Sequence, residues 1–183
     1  MRLSPAPWKM ATMSSHAFPE PSSTPDLRGL LLSYLDYYRS VISCKIGGLE
    51  RDELQRITVP SGWTPAGLVN HLANVERRWI RWGFMAETMA DPWADREGTG
   101  WVSPDLTAEE LTALLEEAGR RTRSVVEAHD LAETARVGGR FPDTAAAPQL
   151  HWILLHLIQE YARHAGHLDL ARELIDGQTG EEP

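Results

Sequence analysis

A single cysteine in 183 residues, Cys44, excludes an internal disulfide and any zinc site built on thiolates. Its neighbours Val41, Ile42 and Ile46 are apolar, which predicts a packed, unreactive thiol. Lysine is nearly as scarce, Lys9 and Lys45 being the two among 18 cationic residues. The net charge of −8 leaves no cation excess for a phosphate backbone, so a general nucleic-acid binder is excluded. Nor is there a basic amphipathic helix to hold an anionic membrane. No apolar run approaches the roughly 20 residues that span a bilayer. The opening stretch, MRLSPAPWKMATMSSHAFPEPSSTPD, is rich in Pro and Ser and has no signal-peptide core. It predicts a disordered leader over 1–25, or residues ahead of a later start at Met10 or Met13, and gives His16 no role. A cytoplasmic location is the expectation.

What is present is helical period. Apolar content of 42% and charged content of 24% suit one globular domain at this length, expected over 26–178 with a short tail at 179–183. From Asp26, the residues Leu31, Tyr34, Leu35, Tyr38, Val41 and Ile42 recur at three and four, and Gly47-Gly48 stops the run. A second helix opens with Thr64 as N-cap and Pro65 at its first position; Leu68, Leu72, Val75, Trp79 and Trp82 form its apolar seam. A third starts at Thr107, with Glu110 at capping-box spacing, and uses Leu111, Leu114, Leu115, Val125 and Val126. The fourth begins near Pro148 and ends at Gly177. The link ETMADPWADREGTGWVSPDL between the second and third is longer than a tight antiparallel connection needs. No strand-like alternation of useful length occurs. The pattern predicts an all-α, four-helix up-and-down bundle with a long crossover between helices two and three.

Within that frame one helix is unusual. LLHLIQEYARHAGHLDLARELIDG, from Leu154 to Gly177, carries His156, Glu160, His164 and His167 toward one side. At about 100° per residue, His164 lies about 40° and Glu160 about 80° from the stripe centred on Leu150, with His167 and His156 farther round. On the second helix, His71 falls about 60° from Leu68, also on the shoulder of the core face. If the two helices are neighbours, these shoulders meet. Residues three or four apart can share an ion; His156 and His164, about 12 Å apart in rise, cannot. The best triplet is His71, Glu160 and His164, with His167 in reserve. Two imidazoles and a carboxylate suit Zn²⁺, Ni²⁺ or Fe²⁺ and leave positions for water or substrate. The plainer readings are that His151 and His156 face solvent or a partner, that His129 complements a helix dipole, and that Trp79, Trp82 and Trp152 are core or pocket wall.

The segments VPSGWTPAGLVNHLANVERRWI and HWILLHLIQEYARHAGHLDLARELIDG resemble the DinB superfamily of four-helix-bundle metalloenzymes, in its DUF664 branch, over about Leu27 to Gly177. The resemblance implies an up-down bundle and one metal held by three side chains, which by position are again His71, Glu160 and His164. Glutamate in the middle place resembles the mycothiol-dependent maleylpyruvate isomerases, whose C-terminal domain this chain lacks. The implied activity is thiol-dependent transfer or isomerisation on a small electrophile, with a divalent metal and a low-molecular-weight thiol such as mycothiol. The reacting group would be a metal-bound thiol or water. Arg78 or Arg140 would bind a substrate carboxylate, and a homodimer would form on exposed apolar residues of the first helix. The alternatives are a non-catalytic, stress-related metal-binding dimer and a metal-assisted hydrolase.

Overall fold

The computed structural model describes Pro21 and residues 26–179; the rest of the expected leader, with His16, and the rest of the tail lie outside the described residues. Helix α1 (Leu27–Ile46) starts where the Asp26 carboxylate accepts the backbone N–H groups of Arg28 and Gly29. A short α2 (Arg51–Leu54) leads to α3 (Pro65–Glu76), capped by Thr64, whose Oγ1 accepts the Gly67 N–H at 3.0 Å. Helix α4 (Ala108–Ala128) opens on the reciprocal Thr107–Glu110 capping box, and α5 (Leu150–Asp176) ends at Gly177, left-handed at φ 82°. The crossover contains a two-residue hairpin, β1 (Arg96–Glu97) against β2 (Gly100–Trp101), that alternation could not announce.

Among the described residues the regular structure is α-helical, π-helical over one stretch, apart from that hairpin and one isolated bridge. Helix α1 lies against α4 and α5, and α3 lies against the same two. Leu35, Ile42, Leu68, Leu72, Leu111, Leu115 and Leu154 are fully buried where they meet, each contributing on the order of 1.5–3 kcal/mol by leaving water. Three apolar assignments need correction. Tyr34 and Leu114 are 38% exposed, because neither turns into the shared core. Cys44 is exposed rather than packed, and the next residue, Lys45, takes the inward place and pairs with Asp169 on α5.

The largest departure lies past Glu76. From Arg77 to Phe84 the helix continues in π geometry, with bonds such as Met85 N–H to Ile80 O at 3.0 Å. Wider turns advance each residue by a smaller angle than an α-helix does, so the seam loses its α period. Ile80 and Phe84, each 1% exposed, carry it, whereas Trp79 and Trp82 are only half-buried. The carbonyls at this end are taken by the loop before α5: Phe84 O accepts from Arg136 N–H and Trp82 O from Arg140 N–H. That approach requires Gly139, since a Cβ there would stand 2.1 Å from Trp82 O.

One carboxylate ties the four long helices together. Glu76 on α3 is 1% exposed. It accepts from Arg39 Nε on α1 (2.7 Å), Thr122 Oγ1 on α4 (2.5 Å) and the Tyr161 hydroxyl on α5 (2.7 Å). A second Arg39 bond, from Nη2 at 3.0 Å, makes the guanidinium grip two-pronged. Burial and the Glu76 charge push the Tyr161 hydroxyl well above its ordinary pKa, so it remains a donor.

Candidate metal centre

The packing of α3 on α5 brings the shoulders of the two helices together. His71, Glu160 and His164 each offer one ligand atom, and these atoms all lie within 4.8 Å of one another. His71 and His164 are buried and Glu160 is half-buried. The imidazoles of His71 and His164 meet edge to face at 5.3 Å, and Glu160 Oε2 is 3.4 Å from His164 Nε2.

His71 is fixed by a residue that the sequence did not reveal. Asp95, fully buried in the crossover, stands with Oδ2 2.9 Å from His71 Nδ1 and with Oδ1 against Arg78. An ionised carboxylate only accepts, so Nδ1 carries the proton and the Nε2 lone pair is left for the triplet. Burial alone would raise the Asp95 pKa, but the bonds from His71 and Arg78 hold it below the usual carboxylate value. At His71, by contrast, burial prevails and lowers its pKa against the pull of Asp95, which favours the neutral, ligating imidazole. Asp95 carried no local signal: its partners lie 24 and 17 residues away. Trp101 of β2 stacks on the other side of His71, centroids 4.3 Å apart and 13° from parallel, and meets His164 edge-on.

On α5, Glu160 lies between two imidazoles, with Oε1 3.4 Å from His156 Nε2. Its pKa is lowered chiefly by His164, over the opposing influence of burial. His156, expected to face solvent or a partner, is half-buried and stacked on Trp152, 5.5 Å away and 4° from parallel, with Trp79 at 4.5 Å. His167 stands behind the triplet, its Nδ1 3.1 Å from His164 Nδ1 and its ring 5.9 Å from Trp63. It orients His164 and does not join the triplet. His151 Nδ1 donates to Leu131 O at 2.8 Å, and His129 pairs with Glu133.

The two arginines proposed for substrate part company. Arg78 is 2% exposed and held by Asp95, so it is not available to a substrate. Arg140 is half-buried over Trp79, Cζ 4.1 Å from the ring centre, with no carboxylate partner among the described residues. A separate cavity of about 500 Å³ opens on another face of α3 toward α4, lined by Asn70, Asn74, Arg77 and Arg121; none of the triplet lines it.

The donor set fits a divalent cation. A carboxylate and two imidazoles converge on one point, the His164–Glu160 contact being one that a proton can bridge, and a shared metal would satisfy all three ligand atoms at once. No helix is long and apolar enough to cross a membrane among the described residues. Comparison with curated proteins returns no match. Residues 30–177 match the family model described as MST, mycothiol-S-transferase.

Proposed function

We propose that this chain, which belongs to the mycothiol-S-transferase family, is a divalent-metal-dependent enzyme that joins a low-molecular-weight thiol, mycothiol by its family, to a small electrophile. The observation that carries this is the convergence of His71, Glu160 and His164 within 4.8 Å at the α3–α5 contact. Those three residues would hold the metal, with Zn²⁺ preferred and Ni²⁺ or Fe²⁺ acceptable to the same donors. A bound divalent cation lowers the pKa of a thiol toward neutrality, giving the nucleophilic thiolate. Asp95 keeps the His71 tautomer and ring plane; His167 does the same for His164. Trp101 closes one side of both imidazoles against water. Cys44 is on the exposed face of α1, so the reacting sulfur belongs to a separate molecule. The sulfur lone pair forms the new S–C bond as the electrophile's leaving group departs with the electrons of the bond it breaks, and the thiol proton is released to solvent. We read the four long helices as an up-and-down bundle forming one domain over 26–178, acting in the cytoplasm as a homodimer.

The test uses untagged protein, elemental analysis and a fluorogenic alkylating electrophile. Conjugate formation should require both mycothiol and metal, stop after chelation and return with Zn²⁺. Tight metal binding with neither thiol affinity nor thiol-dependent turnover would overturn the transferase reading and leave a metal-binding helical protein.

A further inference from the structure

Beside the triplet the chain assembles positive charge without the negative charge to balance it. Three guanidiniums surround one indole: the Cζ atoms of Arg96, Arg78 and Arg140 lie 4.5, 4.7 and 5.7 Å from the Trp93 ring centre. Arg78 is neutralised by Asp95. Arg96 and Arg140 have no carboxylate partner among the described residues, whereas nearby Arg81 and Arg121 share Glu87. Arg140 is the better placed. Its flat face is covered by Trp79 at 4.1 Å, and Trp82 stands at 5.8 Å. With the face occupied, recognition is left to the edge of the guanidinium, whose parallel N–H groups match the two oxygens of a planar carboxylate. The site adjoins the triplet: Trp79 also touches the His156 ring at 4.5 Å, and His156 Nε2 is 3.4 Å from Glu160.

We infer that Arg140, assisted by Arg96, forms a carboxylate-binding subsite framed by Trp79, Trp82 and Trp93, and that the electrophile consumed at the triplet carries a carboxylate. The second half rests on the proposed transferase function; the first does not. The loop is built to hold the guanidinium still, because Arg140 N–H bonds to Trp82 O at 3.1 Å and Gly139 permits that contact. Burial, with Arg78 and Arg96 close by, draws the Arg140 pKa below its ordinary value, as befits a cation left without an anion.

The tryptophans supply the readout. Succinate, an unreactive dicarboxylate, is titrated into metal-free and metal-loaded protein while intrinsic fluorescence and binding heat are followed. Saturable binding is expected to weaken at least tenfold in Arg140→Gln, less in Arg140→Lys, and about threefold in Arg96→Gln. Arg120→Gln, on the exposed side of α4 and paired with Glu117, should bind as the parent does. Far-ultraviolet circular dichroism confirms that each variant is folded. Equal succinate affinity in folded Arg140→Gln and parent, or no saturable binding by the parent, overturns the subsite. Succinate binding without thiol-dependent turnover preserves the subsite and removes the transferase reading. Turnover of charged and uncharged electrophiles at the same kcat/KM, unchanged in Arg140→Gln, keeps the transferase reading and overturns the inference that its electrophile carries a carboxylate.

Discussion

Two polar clusters share α3 and α5, one around Glu76 and one around His71, and they are built on opposite plans. The Glu76 carboxylate receives bonds from Arg39, Thr122 and Tyr161 and has no acceptor facing it. The other cluster gathers a carboxylate and two imidazoles around one point, with His71 and His164 held from behind by Asp95 and His167 and with Glu160 near both His156 and His164 at 3.4 Å. A buried charge met by donors on every side is finished, and contributes structure. Ligand atoms gathered on one point are unfinished until a cation arrives. Burial is deeper at Glu76 than at the half-buried Glu160, and the direction of the hydrogen bonds separates the two clusters further.

The heaviest blow to that contrast falls on the finished cluster. Glu76→Ala would leave the buried Arg39 with only the part-exposed Asp36 as counter-ion, at a cost of up to about 3–5 kcal/mol, read as a lower urea midpoint. A midpoint like that of the parent would mean that the cluster is not structural. His164→Ala should act the other way round. Zinc affinity is expected to fall by more than the ~10–100-fold typical of lost supporting partners, while the metal-free urea midpoint changes little. Retention of parental zinc affinity would remove His164 from the site. Asp95→Asn tests the support alone: about 10–100-fold weaker zinc, with the ligands intact. Metal titration unaltered by that change would reduce Asp95 to a partner of Arg78.

The smallest effect belongs to Glu87, which joins the π-helical segment to α4 through Arg81 and Arg121. Burial alone would raise its pKa, yet these two arginines hold it lowered. A group with a depressed folded pKa adds stability above its unfolded value and loses it as pH falls through the folded one. The midpoint difference between parent and Glu87→Gln, under about 1 kcal/mol, should therefore be full at neutral pH and vanish below the folded pKa. A difference that survives at the acid end would assign the effect to packing.

Much of this could be read from the chain. Thr64, Thr107 and Gly177 mark helix ends by local chemistry that needs no tertiary context, and the structure uses all three. His71, Glu160 and His164 were legible because helical spacing fixes angles, and two shoulders can meet in few ways. Asp95 was not, since a loop residue acquires its role only when the crossover folds back on α3. Trp79 and Trp82 were misplaced because the period itself changes at Arg77. The Glu76 cluster did leave a trace: Arg39 sits between Leu35 and Ile42 on the inward face of α1, a cation that a core admits only with a partner.

The wide turns from Arg77 to Phe84 make the indole-and-guanidinium frame depend on how many residues the stretch contains as well as on which ones. A relative one residue shorter there, returning to ordinary helical winding, would swing these rings toward the interior and present a different rim. Sequence comparisons across such a deletion would align matching letters that occupy opposite sides of the wall. The rim beside the triplet is thus open to change by a single lost codon, with the convergence of His71, Glu160 and His164 beneath it untouched.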